Sequence, residues 1–153
     1  PDVLAFFRTN LELERVSAAV GGLRSLPKLE AAIANCVVYC FNCWAEQWQK
    51  PTRTYNLRNI VVWALEQKEG KSCSMCGFTP SKSKTLHFHH VQDKVFGVML
   101  PPAGTTMEQQ ENEVKKCVLL CANCHHIVHS KNRRLAKRGL TMDPETYGGK
   151  LDT

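Results

Sequence analysis

Apolar residues fall at helical spacing in two stretches of the chain. Leu23, Leu26, Leu29, Ala32 and Ile33 mark a short helix within 23–34, with Ser25 ahead of Pro27 as its start. Leu57, Ile60, Val61, Ala64 and Leu65 line one face of a second helix from about Thr54 to Lys68, and Gly70 stops it. The period then shortens to two: Thr85 to His89 alternates as a short strand does, and Cys117 to Leu120 predicts another. Between them Gly97, Pro101, Pro102 and Gly104 predict a loop over 97–106. Ala122 to Ala136 reads as a helix whose Lys and Arg residues gather towards its C-terminal end, where the dipole favours them. Residues 141–153 are polar and contain glycine, the pattern of a flexible tail.

With 153 residues and 43% hydrophobic content, the chain holds one ordinary domain or two very small ones. Twenty Lys and Arg against 14 Asp and Glu give a net charge of +6, which favours a polyanionic partner without identifying one. No apolar run approaches the roughly 18 residues of a membrane span and no secretory signal is visible, so no membrane partner is expected. An intracellular location, cytoplasmic or nuclear, is the default, although the start at Pro1 leaves room for a leader lost before it.

The chemistry is concentrated in cysteine and histidine. Eight cysteines in a short chain suit a disulfide framework, but Cys73-Ser-Met-Cys76-Gly and Cys121-Ala-Asn-Cys124 are two Cys-x2-Cys knuckles. Each knuckle places two thiolates on one ion, and two knuckles complete a four-thiolate zinc site, which is the preferred reading. All six histidines lie in two places: His87, His89 and His90 around the first strand, and His125, His126 and His129 after the second knuckle. His125 and His129 share a helix face, and His87 and His89 share a strand face from which His90 points away unless it sits just past the strand end. The expected arrangement has His89, His125 and His129 holding a divalent ion with positions left open, and His90 outside the shell as general base. His87 and His126 are expected to support the shell, contact phosphate or face solvent. The competing arrangement is a second, purely structural zinc held by four histidines. Lys131, Arg133, Arg134, Lys137 and Arg138 follow at once and suit phosphate contact, although a solvated helix face has the same composition.

The run Leu86-His87-Phe88-His89-His90-Val91-Gln92-Asp93-Lys94-Val95-Phe96, with Glu113-Val114-Lys115-Lys116 and Cys117 through His129, resembles the zinc-knuckle branch of the HNH endonuclease family. With the leading Cys73-x2-Cys76-Gly77 the resemblance covers about 70–134. It implies an α+β protein: a small ββα-metal fold with a four-cysteine zinc site (Cys73, Cys76, Cys121, Cys124), flanked by helices. By position it implies His89 as the first metal ligand, His90 as the general base and His125 with His129 as the helix ligands. The implied activity is metal-dependent hydrolysis of DNA phosphodiester bonds, with structural Zn2+ and with Mg2+ or another divalent ion at the histidines. One such site cuts one strand, so double-strand cleavage would need a homodimer or two successive events. The alternatives are a zinc-stabilised nucleic-acid-binding module without chemistry, and a protein-interaction domain whose metals are all structural. One departure stands out: the family commonly has Asn five residues before the second knuckle, where this chain has Lys116, so Asn112 or Gln110 is the candidate for orienting the histidine loop.

The chain also echoes itself. Cys36-Val37-Val38-Tyr39-Cys40-Phe41-Asn42-Cys43-Trp44 repeats Cys117 through His125 at an offset of 81, which sets Trp48 at the place of His129. At an offset of 82, Phe7 and Arg8 stand at the places of His89 and His90. Residues 1–53 are thus read as a degenerate second copy of the motif or a helical extension, 54–140 as the nuclease domain and 141–153 as a tail; chance similarity is the competing account of the echo. Trp44 and Trp48 share a helix face as core residues or, less expectedly, as platforms for bases.

Overall fold

The computed structural model describes residues 4–8, 25–48 and 59–136. Aromatic and β-branched residues build the first pair of strands, β1 (Leu4–Arg8) and β2 (Cys36–Cys40), which run antiparallel with Phe7 opposite Val37 and Arg8 opposite Cys36. Helix α1 (Leu26–Ala34) lies between them in sequence, and α2 (Phe41–Trp48) leaves β2 without a loop. After α3 (Asn59–Glu66) the chain turns at Gly70, whose φ of 67° is a left-handed conformation that favours glycine. A 3-10 turn (Ser83–Thr85) then feeds β3 (Leu86–His90). Helix α4 (Met107–Lys115), β4 (Cys117–Cys121) and α5 (Ala122–Ala136) follow. β3 and β4 are antiparallel, with Leu86 opposite Cys121 and His90 opposite Cys117. The described residues therefore form a small α+β structure with two two-stranded sheets and five α-helices.

The main cluster of buried apolar groups lies under the second sheet. Leu86, Val118, Leu120 and Val128 pack with Cys73, Cys121 and Cys124, and Phe78, Val91 and Leu119 close around them. Three of its seven buried members are cysteines, so the hydrophobic core and the cysteine cluster share members. The two strand–strand–helix units meet along α2 and α5, where Ala45 and Ala122 are both buried.

Several sequence expectations shift. Thr85 belongs to the 3-10 turn instead of the strand, which runs on through His90, and β4 extends to Cys121. The first expected helix is confined to Leu26–Ala34, and the second is described only from Asn59. Residues 97–106 do form a loop, but α4 beyond it was not anticipated. Its inward positions are the buried Gln110 and Glu113, so no apolar period announces it. The legible signal is a capping box: Thr106 Oγ1 accepts the Gln109 N–H and Gln109 Oε1 accepts the Thr106 N–H. The expected tail at 141–153, and residues 54–58 of the expected second helix, lie outside the described residues.

Candidate metal centre

The four-cysteine cluster is assembled from a turn and a strand–helix junction. Gly77, at φ 73°, lets the first knuckle fold back: its N–H donates to the Cys73 carbonyl at 2.8 Å, and the Cys73 N–H donates to Phe78 O at 2.9 Å. The Ser74 N–H reaches Leu119 O at 2.8 Å, stitching the knuckle to β4. Cys121 ends β4 and Cys124 lies in the first turn of α5, where its N–H donates to Cys121 Sγ. The sulfurs of Cys73, Cys76, Cys121 and Cys124 lie within 4.8 Å of one another, and Cys76 Sγ is 3.8 Å from Cys121 Sγ. A tetrahedral ion with 2.3 Å bonds would hold its sulfurs about 3.8 Å apart, so the set fits a metal such as zinc. Three of the four are buried, and Cys76 faces solvent. Burial and the neighbouring thiols push the Cys124 thiol up. At Cys73 burial acts the same way, but backbone N–H groups outweigh it and the thiol is lowered. Cys117 stands apart from this cluster: its S–H donates to Glu113 O, and burial with the Glu113 charge pushes it up to about 12.

A second cluster forms where β3 faces α5. The alternation of β3 turns His89 towards the helix face carrying His125 and His129, and the ring nitrogens of these three lie within 4.8 Å of one another. His125 Nε2 and His129 Nε2 are 3.1 Å apart, against the roughly 3.3 Å that two ligands at 2.0–2.1 Å subtend at a tetrahedral ion. Burial, then the other histidines, lowers His89 to about 4 and His125 to about 3. Both rings are therefore neutral at physiological pH, as a metal ligand must be. Three imidazole nitrogens suit ions such as Zn2+, Ni2+ or Fe2+ better than Mg2+, which prefers oxygen, so the expectation of Mg2+ finds no support in the donor set.

His87 shares the inner face, with Nδ1 3.3 Å from His125 Nδ1. His126 does not approach this site: it stacks on Phe41 across the α2–α5 contact, centroids 4.3 Å apart and planes at 24°. It is a residue of the joint between the two units, not the support or phosphate contact expected of it.

His90 points to the other side of β3, where its Nε2–H donates to Glu113 Oε1 at 2.8 Å. That carboxylate is the hub of the loop after the strand. Its Oε1 also accepts the N–H groups of Val95 (2.8 Å) and Phe96 (3.2 Å), and its Oε2 accepts Lys116 Nζ at 2.9 Å. Burial opposes ionisation of Glu113, but the Lys116 ammonium and the two amides outweigh it and hold the carboxyl at about 2. Glu113 thus ties His90, at the end of β3, to the loop that follows it. Asn112, one residue earlier, is exposed and does not share this contact set. Lys116 contributes indirectly, through the Glu113 ion pair and a carbonyl that accepts the Val91 N–H. Gln110 braces the next stretch by donating to Val98 O at 2.8 Å.

The histidines open on a cleft of 680 Å³ whose lining also includes Lys68, Lys84 and Lys94. Lys68 is buried, with Nζ 4.9 Å from the centre of the Phe88 ring, and burial lowers it to about 8. None of these lysines, nor Glu113, stood out in the sequence. Of the basic residues after the histidines, Lys131 and Arg134 are exposed on α5, whereas Lys137, Arg138 and the Arg133 side chain lie outside the described part of the chain. Among the described residues no helix is long and apolar enough to cross a membrane. The chain matches no family model, and comparison with curated proteins and with solved structures yields no match either.

Proposed function

We propose that the chain is a metal-dependent nuclease of the HNH, ββα-metal type that hydrolyses DNA phosphodiester bonds. The carrying observation is the division of labour on β3: His89 meets His125 and His129 on one face, while its neighbour His90 is turned away and held by a buried carboxylate. A structural metal of this kind needs four closed ligands, whereas a three-histidine set keeps a position open. The cysteine cluster is the structural zinc site in this reading. His89, His125 and His129 would hold a divalent ion, which would supply Lewis-acid stabilisation of charge at the scissile phosphate. His90, with its Nε2–H engaged by Glu113, has its Nδ1 lone pair free to take the proton of the attacking water. Lys68, Lys84 and Lys94 offset the charge of the phosphate backbone in the cleft, and Lys131 and Arg134 hold phosphates beyond it.

The test is relaxation of supercoiled plasmid by zinc-loaded protein with Mn2+, Zn2+, Ni2+ or Mg2+ added. His90→Ala should keep both metals and lose roughly 10²–10⁴-fold in rate, the usual worth of a positioned base. His89→Ala should lose the exchangeable ion and regain part of its rate at high Mn2+. A plasmid left intact by the wild type under every ion would remove the nuclease reading.

A further inference from the structure

The two strand–strand–helix units match residue for residue, beyond the short echo. Adding 81 to the bounds of α1 (26 and 34) gives those of α4 (107 and 115), and the same step carries β2 (36–40) onto β4 (117–121). β1 (4–8) maps onto β3 (86–90) at a step of 82, in the same pairing register: Leu4 faces Cys40 as Leu86 faces Cys121, and Arg8 faces Cys36 as His90 faces Cys117. Side chains repeat as well. The Cys36 S–H donates to Ala32 O as the Cys117 S–H donates to Glu113 O, and the Cys43 N–H donates to Cys40 Sγ as the Cys124 N–H does to Cys121 Sγ.

The units also meet at equivalent residues. The Asn42 N–H donates to Asn123 Oδ1 at 3.2 Å, and the Asn123 N–H donates to Asn42 Oδ1 at 2.9 Å. A reciprocal bond between counterparts is the signature of a two-fold contact, in which residue i touches j and j touches i. At the locus of the metal, Phe7 and Trp44 stand at the places of His89 and His125, and they stack with centroids 4.8 Å apart and planes at 15°. Ala32 stands where Glu113 does.

We infer that residues 4–8 and 25–48 form a catalytically silent counterpart of the C-terminal unit, joined to it by a local two-fold axis at Asn42 and Asn123, and that this built-in pseudodimer engages both strands of one duplex but cuts only one. The inference rests on the nuclease reading. The strands of a duplex are related by dyads perpendicular to its axis, so a protein with two-fold-related halves presents one half to each strand. One half has histidines there and the other an aromatic stack, so each binding event yields a nick.

Three measurements decide it. With plasmid in large excess, the wild type should turn supercoiled DNA into nicked circles at a rate first order in protein, with linear DNA arising only from later, independent nicks. Linear DNA in the first turnover, or a rate second order in protein, overturns the inference. The rebuilt chain F7H/R8H/W44H/W48H should bind two exchangeable Co2+ ions where the wild type binds one, and should produce linear DNA directly. A folded rebuilt chain limited to one ion shows that the halves are not equivalent and overturns it too. Should that chain fail to fold, F7H/W44H, which alters a single stacked pair, is titrated with Ni2+: one ion more than the wild type is expected, and none overturns the equivalence. A wild type that cuts nothing removes the nuclease reading and the one-strand cutting with it, while the ion count still decides whether the halves are counterparts.

Discussion

Leu4 and Leu86 occupy the same place in the two units, yet Leu4 is 58% exposed and Leu86 is 0% exposed. Over Leu86 lies the first knuckle. In the C-terminal unit Cys73 and Phe78 fold over the sheet face that carries Leu86, Leu119 and Cys121, and the Ser74 N–H fastens them to β4. In the N-terminal unit the equivalent face shows Leu4, Phe6 and Val38 to solvent among the described residues. The same strand register therefore supports two kinds of stability: one unit is organised around its cysteine cluster and buried carboxylate bonds, the other around Phe7 in ring contact with Tyr39, Phe41 and Trp44. The cysteine and histidine clusters that could hold metal are thus a property of side chains placed on a backbone that the N-terminal unit adopts without the histidines.

The sharpest way to break that comparison is to change equivalent cysteines. Cys121→Ser should remove one zinc per chain and collapse the C-terminal unit, because the core and the thiolate cluster share members. Cys40→Ser, at the matching position, should change stability by no more than about 1 kcal/mol. Zinc content and thermal unfolding of the two variants check this; equal losses would mean that the N-terminal unit also depends on metal.

A smaller but still large effect is expected at Glu113. Glu113→Ala leaves the Lys116 ammonium and the amides of Val95 and Phe96 without their acceptor and should cost about 3 kcal/mol in denaturant unfolding. Its counterpart Ala32 already lacks the carboxylate, and its unit folds without one. A loss below about 0.5 kcal/mol would show that water replaces the network at little cost.

What the sequence disclosed and withheld follows the range of the interactions. The knuckles, the His125–His129 pair and α5 from Ala122 to Ala136 were legible because thiolate spacing and a four-residue helical step are local. The strand face shared by His87 and His89 was legible from alternation alone. The partner of His90 was not, because Glu113 lies 23 residues away on a helix with a polar inward face. Asn112 was selected for that role on residue type, and the one-position turn from Asn112 to Glu113 decides which side chain faces the loop. The placing of His126 against Phe41 was likewise invisible, since it depends on how α2 and α5 cross. The echo aligned Cys36 through Trp44 with Cys117 through His125, and Phe7 and Arg8 with His89 and His90, but no strand was read from it, because β1 and β2 pair across a long sequence separation.

The acid limb of stability sharpens the same contrast. The folded-state carboxyl of Glu113 titrates at about 2, below its ordinary value of 4.5. A depressed carboxylate contributes stability that is complete above its unfolded pKa and is lost as pH falls through the folded one. Stability should therefore decline between about pH 4.5 and about pH 2, and Glu113→Gln should flatten that decline. Identical acid profiles for the two proteins would remove Glu113 as the titrating group.

The smallest effect expected concerns charge at the far end of α5. The helix continues beyond His129 to Ala136 and carries Lys131 and Arg134 into solvent, whereas α2 is described only to Trp48. If the proposed nuclease reading holds, exposed cations on this helix act at long range, and each phosphate they neutralise releases counterions from the duplex. Lys131→Ala with Arg134→Ala should weaken binding equally on unrelated sequences. The slope of log affinity against log salt should become shallower by about 2, close to one for each phosphate no longer neutralised. Cleavage at saturating DNA should be unchanged, because neither residue belongs to the histidine cluster or lines its cleft. An unaltered salt slope would place the electrostatic footprint elsewhere, in the cleft with Lys68, Lys84 and Lys94. The same pair of substitutions on Lys84 and Lys94 would then have to flatten the slope, and a cleft lysine that touches the scissile phosphate would lower the maximal rate along with the affinity.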